Sequence, residues 1–305
     1  MGGEEDTNVT LWPRFYLFAF STFENQSIII VTVVLLIYLI VLSGNLLIIS
    51  LISIEPRLHT PMYFFLCNLS ALDIMYVSTT LPKLMYICLT GDHIVSYASC
   101  MAQMYWYHVF ADTECFLLTS MAIDRYVAVC FPLHYSLIMS KQVCVLLVFP
   151  AWFMSSISAS IITYLTYNLT FFGLVDIRNF FCDLKALVMA SISDTTSLKT
   201  YIIVGAIFVG VVPSCLILAS YARIIHTVLK IKSSVGRWKT FSSCSSHITI
   251  VIVYFGSAMC LYLSNSVEED VILSMMFDTL VPTLNLLVYS LRNKDIIMAI
   301  QKIIH

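Results

Sequence analysis

The chain has 305 residues, of which 59% are hydrophobic and only 11% charged, with a formal net charge of −2. A soluble domain carries about 25% charged residues, so this chain cannot cover itself with polar surface and is expected to live in a membrane. Once its apolar stretches are marked, no length remains for a soluble catalytic domain, and no nucleic-acid partner is expected.

Residues 1–26, opening MGGEEDTNVT, form an acidic tail. It lacks the basic-then-apolar order of a cleavable signal peptide, so the first apolar stretch is expected to serve as an uncleaved anchor. Seven stretches then meet the roughly 20 apolar residues a spanning helix needs: 27–52, 61–86, 97–125, 142–165, 198–229, 240–264 and 271–291. They are continuous rather than alternating, which selects helices over a barrel. With the N-terminus outside, eleven of the sixteen Lys and Arg residues fall on the inner side, Arg57, Arg125, Arg223 and Lys239 among them, while Glu4, Glu5, Asp6, Glu268, Glu269 and Asp270 fall outside. Basic residues concentrate on the cytoplasmic side of membrane proteins, and this orientation makes Asn8, in the sequon Asn8-Val9-Thr10, a candidate glycan acceptor.

The first stretch carries Gly44-Asn45, and the second opens on LHTPMYFFL (Leu58 to Leu66) and contains Asp73. The third runs from Cys100, through Glu114, to MAIDRYVAVC, which leaves Asp124, Arg125 and Tyr126 at its foot. A charge costs roughly 3 kcal/mol at the bilayer centre, but here the pair sits where the segment meets water. In the fifth lie Pro213 and Ser220-Tyr221; the sixth opens on KTFSSCSSH from Lys239; the seventh ends on Pro282-Thr283-Leu284-Asn285 and YSLRNK. Residues 292–305 place Ile296, Ile297, Ile300 and Ile303 or Ile304 along one face, as an interfacial eighth helix requires. Most of the ten cysteines lie in the spans, where a thiol acts as a small hydrophobe. Cys100 and Cys182 instead lie on the outer, oxidising side, and a disulfide between them is expected.

Four carboxylates, Asp73, Asp112, Glu114 and Asp278, fall inside spans, where the bilayer penalises them and function is the default reading. Met104, His108, Ala111, Asp112 and Cys115 recur at helical spacing on the third span, and Phe255, Ala258, Met259 and Tyr262 on the sixth. Gly205, Ala206 and Val209 on the fifth, with Met275 and Asp278 on the seventh, complete a candidate ligand surface. Stripes of this kind are more often plain helix packing, and periodicity alone leaves both readings open.

The motifs taken together, AIDRYVAVC with PLHY, LHTPMYFFL, CMAQM, TECFLL, KTFSSCSSH and the seventh-span PTLN and YSLRNK, resemble the rhodopsin-like G-protein-coupled receptors and specifically the olfactory receptors. The resemblance runs the length of the chain. It implies an all-α seven-helix bundle over 27–291, between an extracellular tail and a cytoplasmic amphipathic tail, in the plasma membrane of olfactory-neuron cilia. It also implies a small volatile odorant held by Met104, Tyr107, His108, Ala111, Asp112, Gly205, Val209, Phe255, Met259, Tyr262 and Asp278. Asp124, Arg125, Tyr126, Tyr221 and Lys239 would face a heterotrimeric stimulatory G protein of the olfactory type, which raises cyclic AMP. Arg125 would pair with Asp124 at rest and be freed when helix six swings out. Asp73, Glu114, Asn45 and Asn285 would form a polar cluster able to hold an allosteric sodium ion, the alternative being a protonated acid; no other cofactor is implied.

This chain departs from the family pattern at four places. Leu286 stands where a proline usually follows the seventh-span asparagine; Tyr254-Phe255-Gly256 inverts the usual FYG; Phe172 and Ile192 replace two outer-loop cysteines; and Asp112 and Asp278 replace small or hydroxyl residues. The third departure predicts a loop held by Cys100–Cys182 alone. Tyr107 occupies the position of the amine-binding aspartate of aminergic receptors, yet Asp112 and Asp278 could pair with a cationic or hydrogen-bond-donating ligand. A non-olfactory receptor of the same fold is the alternative; a transporter would show internal repeats or broken paired helices, and none is visible.

Overall fold

The computed structural model describes residues 13–18, 27–263, 267–291 and 294–304. Eight helices carry the architecture: α1 Ser27–Ile54, α2 Pro61–Thr90, α3 Tyr97–Cys130, α4 Lys141–Tyr167, α5 Thr196–Leu229, α6 Ser234–Leu263, α7 Val267–Leu291 and α8 Lys294–Ile304. The apolar-stretch boundaries fall short of most of these, because helices run on past the hydrocarbon until a cap stops them. Pro61 at the first turn starts α2, where its missing N–H costs nothing, and Gly91 ends it in the left-handed region at φ 70, its N–H bonded to the Ile87 carbonyl at 2.9 Å. Ser96 and Ser140 cap α3 and α4 by accepting from the N–H three residues on.

Among the described residues, six helices are long and apolar enough to cross a membrane; α3 joins them only together with the bent segment Pro132–Ile138, which turns 112° away from it. The reason lies in where α3 sits. Eighteen of its 34 residues are buried, against six of 28 in α1. A helix enclosed by other helices can carry polar groups that a lipid-facing helix cannot.

Helix α5 is interrupted. Ala206–Val211 form a π turn between two α segments, Thr196–Gly205 and Val212–Leu229. Pro213 explains it: with no N–H to offer the Val209 carbonyl one turn back, proline breaks the ladder there. The freed Val209 oxygen accepts the Cys115 thiol of α3 at 2.7 Å. Leu286, where relatives carry proline, is buried on α7 against Gly44 of α1. A Cβ built on Gly44 would meet both Leu286 methyls inside van der Waals contact and its Cγ at 3.0 Å.

The outer end holds a three-stranded sheet that the apolar pattern did not signal. Strands β1 Arg14–Leu17, β2 Ile94–Ser96 and β3 Leu174–Ile177 take the order β2-β1-β3, with Phe15 opposite Val95 in the antiparallel pair and opposite Val175 in the parallel one. Alternation puts Phe15 and Leu17 inward, both fully buried. The tail before α1 therefore includes a structural strand. Cys100–Cys182 is the one disulfide among the described residues, as the absence of the two further cysteines implies, and hydrogen bonds add to it. Beyond the sheet, the Ile192 N–H donates to the Thr170 carbonyl at 3.2 Å and the Thr170 N–H to Ser193 Oγ at 3.0 Å. Hydrogen bonds thus tie together the two loop regions in which relatives carry their extra cysteines.

Candidate functional site

At the outer end, the Cys100–Cys182 disulfide joins α3 to the second outer loop with its Cα atoms 5.3 Å apart. Gln103 of α3 reinforces it, accepting from the Cys182 N–H at 3.0 Å and donating to the Thr79 carbonyl of α2 at 2.8 Å. Phe180 and Phe181 are thereby held fully buried over the bundle, and Phe181 stacks on Tyr107 with ring centroids 4.6 Å apart. Asp183 caps the loop helix Leu184–Ala190, and Lys185 reaches Asp270 at the top of α7 at 2.8 Å. Burial pushes the Asp183 carboxyl above the usual carboxylate range, although the Ala186 N–H bonded to it pulls the other way. A polar cleft of about 230 Å³ opens here, lined by Asp176, Arg178, Asn179, Asp183, Lys185 and Asp270 among others.

Beneath this lid the expected ligand residues divide. Met104 and Asp278 are fully buried and Tyr107 nearly so. Tyr76 of α2 donates to Asp278 at 3.2 Å, and Thr80 and Tyr107 direct their hydroxyls at the same carboxyl. Even so, Asp278 Oδ2 and Thr80 Oγ1 complete no hydrogen bond. His108 and Asp112 take the other flank of α3, half-buried, with the His108 ring bonded to the Met104 carbonyl at 2.8 Å and Asp112 directed at Ser158 of α4. The two added acids therefore do not share one site. They are separated by the body of α3, since residues on a helix face different ways unless spaced three or four apart.

From α6 it is Tyr254, not Phe255, that meets α3: it is buried and donates to the Ala111 carbonyl at 2.7 Å. The inverted YFG order has carried the hydroxyl into the core. Phe255 is half-buried beside it, and Met259, 62% exposed, points away from the bundle. Gly205 is half-buried with open space where a side chain would stand, and Val209 joins through its carbonyl. The Tyr262 and Lys239 side chains lie outside the described residues, as does Asn8.

Midway down, Asn285 of α7 donates through Nδ2 to Asp73 of α2 at 3.0 Å and to Glu114 of α3 at 2.9 Å. All three are buried. Asn45 is buried too, but its amide donates to the Val41 carbonyl of its own helix. One amide thus bridges two carboxylates and ties three helices.

At the inner end Asp124 accepts from the Tyr135 hydroxyl of the second inner loop at 2.7 Å. Burial and then Asp124 push the Tyr135 phenol up. Asp124 and Arg125 are adjacent in sequence and so point about 100° apart on the helix; Asp124 turns to the loop yet still feels the charge of Arg125, which also reaches Tyr135, Tyr221 of α5, Cys244 and His247 of α6 and Tyr289 of α7. Tyr221 and His247 share a hydrogen bond of 2.6 Å. Tyr126 is half-buried with its ring edge-on to Phe131 at 5.7 Å. Helix α8 is tied to the bundle by Lys302 to Glu55 at 2.7 Å and Tyr63 to Asp295 at 3.0 Å. The Lys302 ammonium holds the Glu55 carboxyl below its usual range.

A buried acid–amide bridge thus ties α2, α3 and α7 midway down the bundle, and an Asp-Arg-Tyr foot stands at its inner end. Comparison with known proteins decides the family: the olfactory receptor family model matches residues 34–305. The chain belongs to the olfactory receptor family. Human olfactory receptor 1E1 is 41% identical over 309 aligned positions, covering 100% of this chain and 98% of that one. Rat olfactory receptor 1496 is 40% identical over 301, with 97% of each chain covered, and the dog olfactory receptor-like protein OLF4 is 38% identical over 297. Olfactory receptors are multi-pass plasma-membrane receptors that signal through G proteins and are not enzymes, and the helices above carry those properties into this chain. The Tyr135–Asp124 bond, the π turn at Pro213 and the outer sheet are site features that sequence reasoning missed. Pro213 was the visible signal for the second.

Proposed function

We propose that this olfactory receptor binds a small volatile odorant in the outer half of the bundle, between α3, α5, α6 and α7, and activates a stimulatory G protein that raises cyclic AMP. What carries the reading is the inner end, where Arg125 faces Tyr221, His247 and Tyr289 on the three helices that must part to admit a G protein. Tyr107, Ala111, Cys115, Val209 and Tyr254 supply the outer counterpart. Two side-chain bonds to backbone carbonyls couple α3 there to α5 and α6, so a ligand seated beside them biases both helices. The wall is mostly apolar with a few polar anchors, which suits a volatile molecule. Membrane lipid covers the exposed apolar faces, and Asn8 is the glycan acceptor.

The mid-bundle cluster is the place for an allosteric sodium ion. Asp73 Oδ2, Asn285 Oδ1 and Ser70 Oγ are buried oxygens without a hydrogen-bond partner, and a hard cation takes oxygen ligands. With two carboxylates nearby, a bound cation would offset their mutual repulsion.

The test is an odorant panel applied to cells that express the receptor with accessory trafficking factors and report cyclic AMP. A dose-dependent rise to at least one volatile is expected. A receptor that reaches the surface and answers only a non-volatile ligand, or only through an inhibitory G protein, contradicts the proposal.

A further inference from the structure

Asp278 is the least compensated group in the outer half of the bundle. It is fully buried, its Oδ2 has no hydrogen-bond partner, and neither does the neighbouring Thr80 Oγ1. A buried acid is costly, and the Tyr76 hydrogen bond to its other oxygen compensates it only in part. Its surroundings are aromatic. Tyr76 and Tyr107 lie 5.1 Å apart by ring centroid, Tyr76 and Phe277 6.2 Å, and Phe277 and Tyr254 5.4 Å. Tyr76 and Tyr107 turn their hydroxyls to the carboxyl, and their rings join Phe277 and Tyr254 in one aromatic cluster beside it; a carboxylate backed by aromatic carbon suits an ammonium ion, which gains from charge and from ring quadrupoles.

We infer that Asp278, beside the aromatic cluster of Tyr76, Tyr107, Phe277 and Tyr254, anchors a small alkylammonium ligand through its unpartnered Oδ2. The inference rests on the odorant-receptor reading and narrows it to one ligand class. An alkylammonium ion offers what sodium lacks, an N–H to donate to Oδ2 and alkyl groups to pack against the aromatic cluster; a carboxylate ligand is repelled. Asp112 takes no part, being on the α4 flank of α3 and directed at Ser158. The approach is also built for cations. The outer cleft is lined by Asp176, Asp183 and Asp270 against Arg178 and Lys185, and the charge of Asp183 reaches Asp278 itself. A cleft with excess negative charge concentrates cations. Phe181 of the second outer loop stacks on Tyr107 at the edge of the aromatic cluster.

The test is thermal unfolding of the purified full-length receptor in detergent micelles, titrated with trimethylammonium chloride, sodium chloride or sodium acetate at matched ionic strength. Trimethylammonium is expected to raise the unfolding midpoint saturably through Asp278, whereas any rise with the two sodium salts comes from the mid-bundle cluster and is expected to be the same in wild type and Asp278→Asn. Asp278→Asn, which keeps the shape, is expected to weaken the apparent affinity by more than about tenfold, and Asp112→Asn to leave it unchanged. Should Asp278→Asn fail to fold, Tyr107→Ala removes one ring and is expected to weaken binding as well. No trimethylammonium rise in the wild type, a sodium rise that Asp278→Asn removes, or a trimethylammonium rise that survives Asp278→Asn or Tyr107→Ala overturns the inference. A receptor that answers neutral volatiles in the cyclic AMP assay but shows no ammonium effect loses this inference alone; one stabilised by ammonium that raises no cyclic AMP with any odorant loses the functional reading alone.

Discussion

Replacing Asn285 by leucine should strip the bundle of its central polar tie. The amide makes two bonds, at 3.0 Å to Asp73 and 2.9 Å to Glu114, and links α2, α3 and α7. A hydrogen bond to a charged group contributes about 1.5–3 kcal/mol, and an abandoned buried acceptor costs its full desolvation. Two such bonds lost from one donor, which are not independent, give a loss of roughly 3–5 kcal/mol. At about 2–4 °C per kcal/mol for larger domains, the unfolding midpoint in micelles should drop by on the order of 10 °C. Where Asp73 has already been changed to asparagine, the second substitution has one charged partner fewer to strand, so the double variant should lose less than the sum of the singles, by about 1–2 kcal/mol. A midpoint unchanged by Asn285→Leu, or strict additivity in the double variant, would show that the three side chains are not coupled.

Three further outcomes follow from particular contacts. Cys182→Ser opens a disulfide that closes 82 residues, for which chain entropy sets an upper figure of about 4.5 kcal/mol. The sheet and the Lys185–Asp270 bridge retain part of the loop, so a loss nearer 2–4 kcal/mol and reduced surface staining are expected, and unaltered staining and midpoint would contradict this. Gly44→Ala should cost about 1–3 kcal/mol by overpacking against Leu286, and Leu286→Ala in the same chain should recover most of it; a tolerated Gly44→Ala would mean that α1 and α7 are not packed this closely. The α8 tether should be acid-sensitive. Lys302 depresses the Glu55 carboxyl, so the bridge contributes above the ordinary carboxylate value of 4.5 and is lost as pH falls through the lower folded value. A fluorescent probe on α8 should report release on acidification in the wild type, whereas in Glu55→Gln the signal should lack that pH step; an identical step in both would place its origin elsewhere.

The helices were legible because a bilayer imposes a length and an apolarity that no soluble context demands. The inner foot and the mid-bundle cluster were legible through family motifs, which name positions but not partners. Asp124 shows the limit: adjacent in sequence to Arg125, it bonds Tyr135 eleven residues away. The four-residue strand Arg14–Leu17 is too short to stand out from a tail, and its meaning depends on two distant loops. On α6, apolar residues occur all round, so periodicity could not single out Tyr254, beside the stripe of Phe255 and Met259, as the residue whose hydroxyl bonds α3. The two added acids looked alike in sequence because depth is read from position along a helix, and facing is set by packing.

The most direct measurement is the odorant-evoked cyclic AMP response of Arg125→Ala beside the wild type, at matched surface expression. Arg125 is assigned to coupling and not to the outer site, so the variant should reach the membrane and give no cyclic AMP response. A dose–response curve equal to that of the wild type would contradict the account.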